Sequence, residues 1–304
     1  MVLVHGLGGS AINWLGVGPS LARRYRVVAL DLAGFGETPP VKGSTGLAAH
    51  RDLLDRFIAS VIAGPAIVVG NSMGGLLALM EAAAEPGRVS HLILAAPAQP
   101  TPRRGRIDLE VLAVFATYAT PWLGAWYMRR RAARLGPEGL VREMLRICCV
   151  DPSRVAPDVR AAHVALAAER LARMPWATDV FLDATRSLLS ALRRRRRFFA
   201  MADRVTAPCL IIQGAGDRLV PVAASRELAR RRPDWKLEVF DGIGHVPQLE
   251  APGRFIETAE RWLGGAATTR PTVLAPRARV RSRRLDGPSP MSSAPTRERA
   301  AGSR

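Results

Sequence analysis

The sequence predicts an α/β fold, a mostly parallel sheet with helices on both faces, interrupted by a helical insertion. Three observations carry this. Short apolar runs rich in Val, Ile and Leu recur at residues 2–4, 26–30, 66–69, 91–96, 208–212 and 236–240, and runs this apolar suit strands buried on both faces. Most of the intervals between them are long enough for a crossover helix, and several runs empty into glycine-rich turns. Between residues 98 and 204 the strand-like runs vanish, and alanine, leucine and arginine recur at helical spacing.

In chain order, residues 2–4 end in His5-Gly6-Leu7-Gly8-Gly9-Ser10, a strand feeding a loop. Residues 13–24 read as a helix with Ser10 or Asn13 as cap, and 26–30 as a strand whose exit loop is Asp31-Leu32-Ala33-Gly34-Phe35-Gly36. Residues 45–62 place Leu47, Leu53, Leu54, Phe57, Ile58, Val61 and Ile62 close to helical spacing, and Gly64-Pro65 stops them. The next strand runs into Gly70-Asn71-Ser72-Met73-Gly74, a glycine-bounded turn carrying a serine, and a helix follows to about residue 84. Within the insertion, helices are expected near 108–118, 121–134, 137–149, 157–173 and 178–201, broken by Pro121, Pro137, Pro152, Pro157 and Pro175. The sheet resumes at 208–212 and 236–240, and a helix near 253–263 closes it. The expected organisation is therefore 1–97 and 207–264 as two parts of one core, 98–206 as a helical cap, and 265–304 as a basic tail too poor in bulky apolar residues to fold alone.

Charge is distributed unevenly. Of 44 basic residues only Lys42 and Lys236 are lysines, a skew that weakens the +18 net charge as a sign of phosphate binding. The two core blocks are close to neutral, whereas residues 98–206 hold 20 basic and 10 acidic side chains and residues 265–304 hold 9 and 2. The run Arg193 to Arg197 points all round a helix and reads as a solvated face. With no fold-level nucleic-acid motif and few stacking aromatics, nucleic acid is not the expected partner. Three cysteines, two of them the adjacent Cys148 and Cys149, form neither a disulfide framework nor a CxxC metal spacing. No basic n-region and long apolar h-region opens the chain, so a cytoplasmic protein is expected.

A serine hydroxyl needs a base. His50, His91 and His163 lie within predicted regular elements, where packing or surface roles are the rule, and His5 is placed to brace its loop. His245, in Asp241-Gly242-Ile243-Gly244-His245-Val246-Pro247, follows the last strand between glycines and can point back over the sheet edge. An acid must then orient that imidazole. Asp217, in Gly216-Asp217-Arg218-Leu219-Val220-Pro221, leaves the carboxyl end of the preceding strand; Asp203 and Asp241 are weaker substitutes.

The order Ser72, Asp217, His245 and the motifs quoted above resemble an α/β-hydrolase of the serine-nucleophile, esterase- or lipase-like branch with a helical cap, across roughly residues 1–264. The resemblance implies backbone N–H groups of Leu7 and Met73 as an oxyanion hole, no metal or organic cofactor, and a small apolar or acyl-bearing substrate cleaved through an acyl-enzyme. Carbon–carbon hydrolysis of ring-cleavage products is the alternative, although Val246 stands where that branch usually carries tryptophan; a non-catalytic ligand-binding protein is a further one.

Two features depart from the pattern. The family carries a strand pair before the strand that ends in His-Gly, absent here, so either the true start lies upstream, the reading expected, or those strands are lost and the edge of strand 26–30 is left unpaired. Residues 111–128 carry no charge. They are expected to form a pocket-lining cap element, or else a surface that touches anionic membrane through cap and tail. Oligomeric state is not legible.

Overall fold

In the computed structural model, residues 1–41, 43, 45–102 and 108–267 are described. The expectation of an unfolded tail falls, from residue 268 onward, outside them. The six apolar runs form β1 (Val2–Val4), β2 (Val28–Leu30), β3 (Ala66–Asn71), β4 (Val89–Ala95), β5 (Cys209–Gly214) and β6 (Lys236–Phe240). They build one parallel sheet in the order β2-β1-β3-β4-β5-β6. β2 lies at one edge of this sheet.

Alternation along each strand divides the core in two. Val2, Val4, Val68, Leu92, Leu94 and Ile211 face one side, where they pack with Leu54, Leu77 and Phe198. Leu3, Val69, Ile93, Leu210 and Ile212 face the other and meet Trp14, Leu21 and Phe255. Both faces are dry, so each buried Leu or Ile contributes roughly 1.5–3 kcal/mol. Trp14 ends a 3₁₀ turn (Ala11–Trp14); the other partners come from α1 (Gly18–Leu21), α2 (Leu47–Phe57), α3 (Met73–Ala84), α8 (Arg195–Ala202) and α11 (Pro252–Ala267).

Between β4 and β5 every described element is helical: α4 (Leu109–Ala119), α5 (Leu123–Cys148), α6 (Pro157–Arg173), α7 (Ala177–Arg193) and α8, with one 3₁₀ turn at Pro152–Arg154. Val180, Ala184 and Leu188 of α7 join the core of the first sheet face, so this insertion shares that core. A smaller cluster joins Val141 and Leu145 of α5 and Val159 of α6 to Val246 and Leu249, beside His245.

Several boundaries depart from expectation for local reasons. The helix expected over 13–24 is a 3₁₀ turn at Ala11–Trp14 and the four-residue α1, because Gly16, Gly18 and Pro19 interrupt it. The expected 45–62 helix becomes α2 followed by a π turn at Ile58–Ile62 that ends at left-handed Ala63 (φ 57°). α5 joins two expected helices across a break at Gly136 (φ 61°), just before Pro137. The helix expected over 178–201 divides at Arg194, whose ψ of 55° is not helical. α9 (Val222–Arg231) and α10 (Pro247–Glu250) were not anticipated.

Candidate active site

The candidate residues gather at the carboxyl ends of the strands, where parallel α/β sheets place their sites. Ser72 follows β3 directly and caps α3 with φ 52° and ψ −118°. A non-glycine residue in that region costs on the order of 1–3 kcal/mol, and three backbone hydrogen bonds hold it there: Ser72 N–H to the Ala95 carbonyl (3.0 Å), and Ala98 N–H (2.9 Å) and Leu76 N–H (3.1 Å) to the Ser72 carbonyl. The neighbouring glycines are demanded by clearance. A methyl group on Gly70 would overlap the Gly74 carbonyl, one on Gly74 would overlap the carbonyls of Val4 and His5, and one on Gly6 would lie 3.1 Å from the Ser72 Cβ. Strand, elbow and glycine loop thus interlock too closely for side chains at these glycines.

Asp217 and His245 meet directly. His245 Nδ1 lies 2.8 Å from Asp217 Oδ2, and since a carboxylate only accepts, Nδ1 carries a proton, which in the neutral ring leaves the lone pair on Nε2. Asp217 is itself fully engaged. Its Oδ1 accepts from Leu219 N–H (2.8 Å) and Val220 N–H (2.9 Å), and its Oδ2 also accepts from Gln213 Nε2 (2.9 Å). Gln213 is oriented in turn by the Ser225 hydroxyl (2.7 Å), which accepts from Gln99 (2.7 Å).

Ser72 is tied to the histidine loop through its neighbour. The Asn71 side chain donates to the Ala95 carbonyl (3.0 Å) and to the His245 carbonyl (3.1 Å). From the other side, His245 N–H donates to the Cys148 carbonyl (2.6 Å) at the end of α5, and Gly244 N–H donates to Glu250 Oε2 (2.7 Å). The other Glu250 oxygen accepts from Asp151 N–H (2.7 Å), so one buried carboxylate joins the histidine loop to the insertion. Asp203 and Asp241 do not enter this network: Asp203 pairs with exposed Arg231, and Asp241 is exposed.

His5 braces its loop. Leu32 N–H donates to its Nε2 (3.0 Å) while Nδ1 bonds the Gly6 carbonyl (2.7 Å), and burial lowers its pKa to about 4. His50 is likewise buried, beside Phe35, and lowered to about 4 by the same cause. Leu7 N–H is carried by the braced loop, and Met73 N–H opens α3, where the first N–H groups of a helix have no intrahelical partner.

The sequence matches the α/β-hydrolase fold family over residues 1–252. The chain belongs to that family. Among similar α/β-hydrolases, the pimeloyl-[acyl-carrier protein] methyl ester esterase of Aromatoleum aromaticum is 32% identical over 83% of this chain and 93% of its own. The 2-hydroxy-6-oxononadienedioate/2-hydroxy-6-oxononatrienedioate hydrolase of Burkholderia vietnamiensis is 29% identical over 84% and 83%. Among solved structures, the meta-cleavage product hydrolase of Pseudomonas fluorescens superposes with a TM-score of 0.65 at 25% identity, covering 87% of this chain and 90% of the other.

In this α/β-hydrolase the insertion meets the core at the glycine loop. Arg170 of α6 donates to the Gly8 carbonyl (2.8 Å) and the Gly9 carbonyl (2.7 Å). Phe181 of α7 stands over Gly8, edge-on to Tyr118 of α4 (ring centroids 5.2 Å apart). Sequence reasoning did not single out Gln213, Glu250 or Arg170. Gln213 offered a signal, a polar residue ending an otherwise apolar strand; Arg170 looks like any other arginine of the insertion. The arginine run is partly engaged, since Arg195 pairs with Glu227 and lies over the Phe199 ring. An open depression of about 680 Å³ beside it, lined by Arg195, Arg196, Arg230 and Arg231 among others, has no lining residue in common with the network around Ser72.

Proposed function

We propose that this chain is a serine hydrolase that cleaves a carboxylic ester or related acyl bond through an acyl-enzyme. The single observation that supports it most is the 2.8 Å bond from Asp217 to the His245 ring, which leaves Nε2 as the free base in a loop tied to the serine elbow. In this reading Ser72 Oγ attacks the acyl carbon while His245 Nε2 takes its proton. The resulting oxyanion lies against the N–H groups of Leu7 and Met73, each worth about 10²–10³ in rate. Asp217 stabilises the imidazolium without being protonated. The tetrahedral intermediate expels the alkoxide, which leaves as the alcohol with the proton from His245. Water then attacks the acyl-enzyme along the same path, releasing the acid and restoring Ser72.

Ester cleavage is placed first because Val246, not tryptophan, follows the histidine; the esterase and carbon–carbon hydrolase relatives, 32% and 29% identical, do not separate the two. The carbon–carbon hydrolase reading keeps specific support from the Burkholderia and Pseudomonas relatives. Fluorophosphonate labelling tests nucleophile competence before any substrate is chosen. The parent should label and hydrolyse short p-nitrophenyl esters, and Ser72→Ala should lose the label and at least about 10⁴ in turnover. Labelling that survives in Ser72→Ala defeats the mechanism. A labelled parent that ignores esters but consumes a 2-hydroxy-6-oxo dienoate moves the assignment to the second reading, and a parent that neither labels nor turns over either substrate favours ligand binding alone.

A further inference from the structure

We propose that the hairpin formed by α4 and α5 is a docking surface for an anionic lipid bilayer. The two helices touch on either side of Pro121: the Tyr118 and Tyr127 rings are 6.0 Å apart and Arg131 donates to the Tyr118 hydroxyl (3.3 Å), while Glu110 pairs with Arg146 beyond the break at Gly136. The exposed stripe of α4 is Leu109, Leu112, Ala113 and Ala116, continued by its C-cap Thr120, at steps i, i+3, i+4, i+7 and i+11 that fall on one helix face. A soluble helix normally turns charge outward. Here Leu109 is 79% exposed and Leu112 50%.

At the corner the stripe meets Trp122, 79% exposed, and Trp126, 52% exposed. Trp122 has a φ of 49°, an unfavourable conformation for a bulky residue that presents the indole to solvent. Tryptophan at such a position suits the headgroup layer, which accepts an apolar body with one polar N–H. One and two turns further along the same face stand Arg129, Arg130 and Arg134, all exposed. Among the described residues none of the three has a carboxylate partner. Arg130 lies over the Trp126 ring at 5.7 Å.

The polar groups nearby are already accounted for. The hydroxyls of Thr117 and Thr120 donate to the Ala113 and Ala116 carbonyls, each at 2.9 Å, so neither needs water. The carboxylates at the start of α4 are engaged by arginine: Asp108 by Arg218 (2.7 Å), and Glu110 by Arg218 (2.7 Å) and Arg146. The charge left unneutralised beside the apolar stripe is therefore positive, which selects an anionic surface over a neutral one. No helix among the described residues is long and apolar enough to cross a membrane, so the contact is one of lying on the surface.

The test is co-sedimentation of the full chain with phosphatidylcholine vesicles with and without about 30% phosphatidylglycerol. Binding is expected to the anionic vesicles, to weaken as salt rises, and to fall about tenfold or more in Trp122→Ser/Trp126→Ser and in Arg129→Gln/Arg130→Gln/Arg134→Gln. In the unaltered chain, bromolipid vesicles should quench part of the tryptophan fluorescence, a readout that does not depend on any variant folding. The proposal is overturned if the full chain does not bind or is not quenched. It is overturned equally if the tryptophan variant, folded by its thermal unfolding, binds as the parent does, because the basic segment 265–304 would then carry the attraction. Loss of a dimer in that variant without vesicle binding by the parent would make the hairpin a contact between copies instead.

Discussion

At Gly74 the elbow has no room for a single methyl group, and that requirement comes from backbone rather than from any adaptable side chain. The ideal Cβ would fall on the carbonyls of Val4 and His5, so neither rotamer change nor local repacking relieves it. Gly74→Ala should destabilise the protein by about 3 kcal/mol in denaturant titrations. Gly253 at the start of α11 supplies the contrast: its Cβ meets open space, and Gly253→Ala should be neutral or stabilising by up to about 1 kcal/mol. A Gly74→Ala protein as stable as the parent would mean that strand and elbow are less interlocked than their geometry states. Ser72 depends on the same interlock, since its own φ of 52° has to be held by its surroundings.

Among the elements, α6 is the one whose effect on the site is least evident from its sequence. It reaches the glycine loop with one side chain, Arg170, whose two hydrogen bonds hold the carbonyls of Gly8 and Gly9 just beyond Leu7. Arg170→Gln should lower kcat about ten- to a hundredfold with little change in KM, because a donor displaced by a fraction of an ångström loses more in the transition state than in the ground state. Lysine cannot span both carbonyls, so Arg170→Lys should recover only part of the loss. If both variants instead raise KM at constant kcat, α6 contributes to binding and not to the position of the proposed oxyanion loop.

For the molecule as a whole, buried titratable groups give stability a particular pH dependence. His5 and His50 are lowered to about 4 by burial. Between roughly pH 4 and 6.5 the unfolded chain therefore binds their protons and the folded chain does not, and stability rises with pH across that window. Glu81 of α3 is raised to about 7, chiefly by burial and then by Asp55. The folded chain keeps its proton where the unfolded chain has lost it, so from about pH 4.5 to 7 Glu81 opposes the histidines. Two groups outweigh one, and net stability should climb from pH 4 to 6.5. Glu81→Gln removes the opposing contribution, so its stability relative to the parent should grow by on the order of 2–3 kcal/mol between pH 4.5 and 8. Chemical denaturation at several pH values measures this, and a constant difference between the two proteins would refute it.

The parallel sheet, its strand positions and the order Ser72, Asp217, His245 were legible in the sequence alone, because they are written in local signals: apolar runs, glycine-bounded turns and the residue types that nucleophilic chemistry requires. Helix ends were less legible where a single backbone angle decides them, as at Arg194 and Gly136. What only the tertiary structure decided is which distant residues share a place. Asn71 across to the His245 carbonyl, Glu250 holding Asp151 of the insertion, and Arg170 on the glycine loop all bridge segments far apart in the chain. A hydrogen bond between such segments leaves no periodicity to read, since its geometry exists only once the sheet and the insertion have packed together. The uncharged stretch 111–128 shows the same division. Its composition was visible from the start, but which of its residues face outward was set by how α4 and α5 fold against each other.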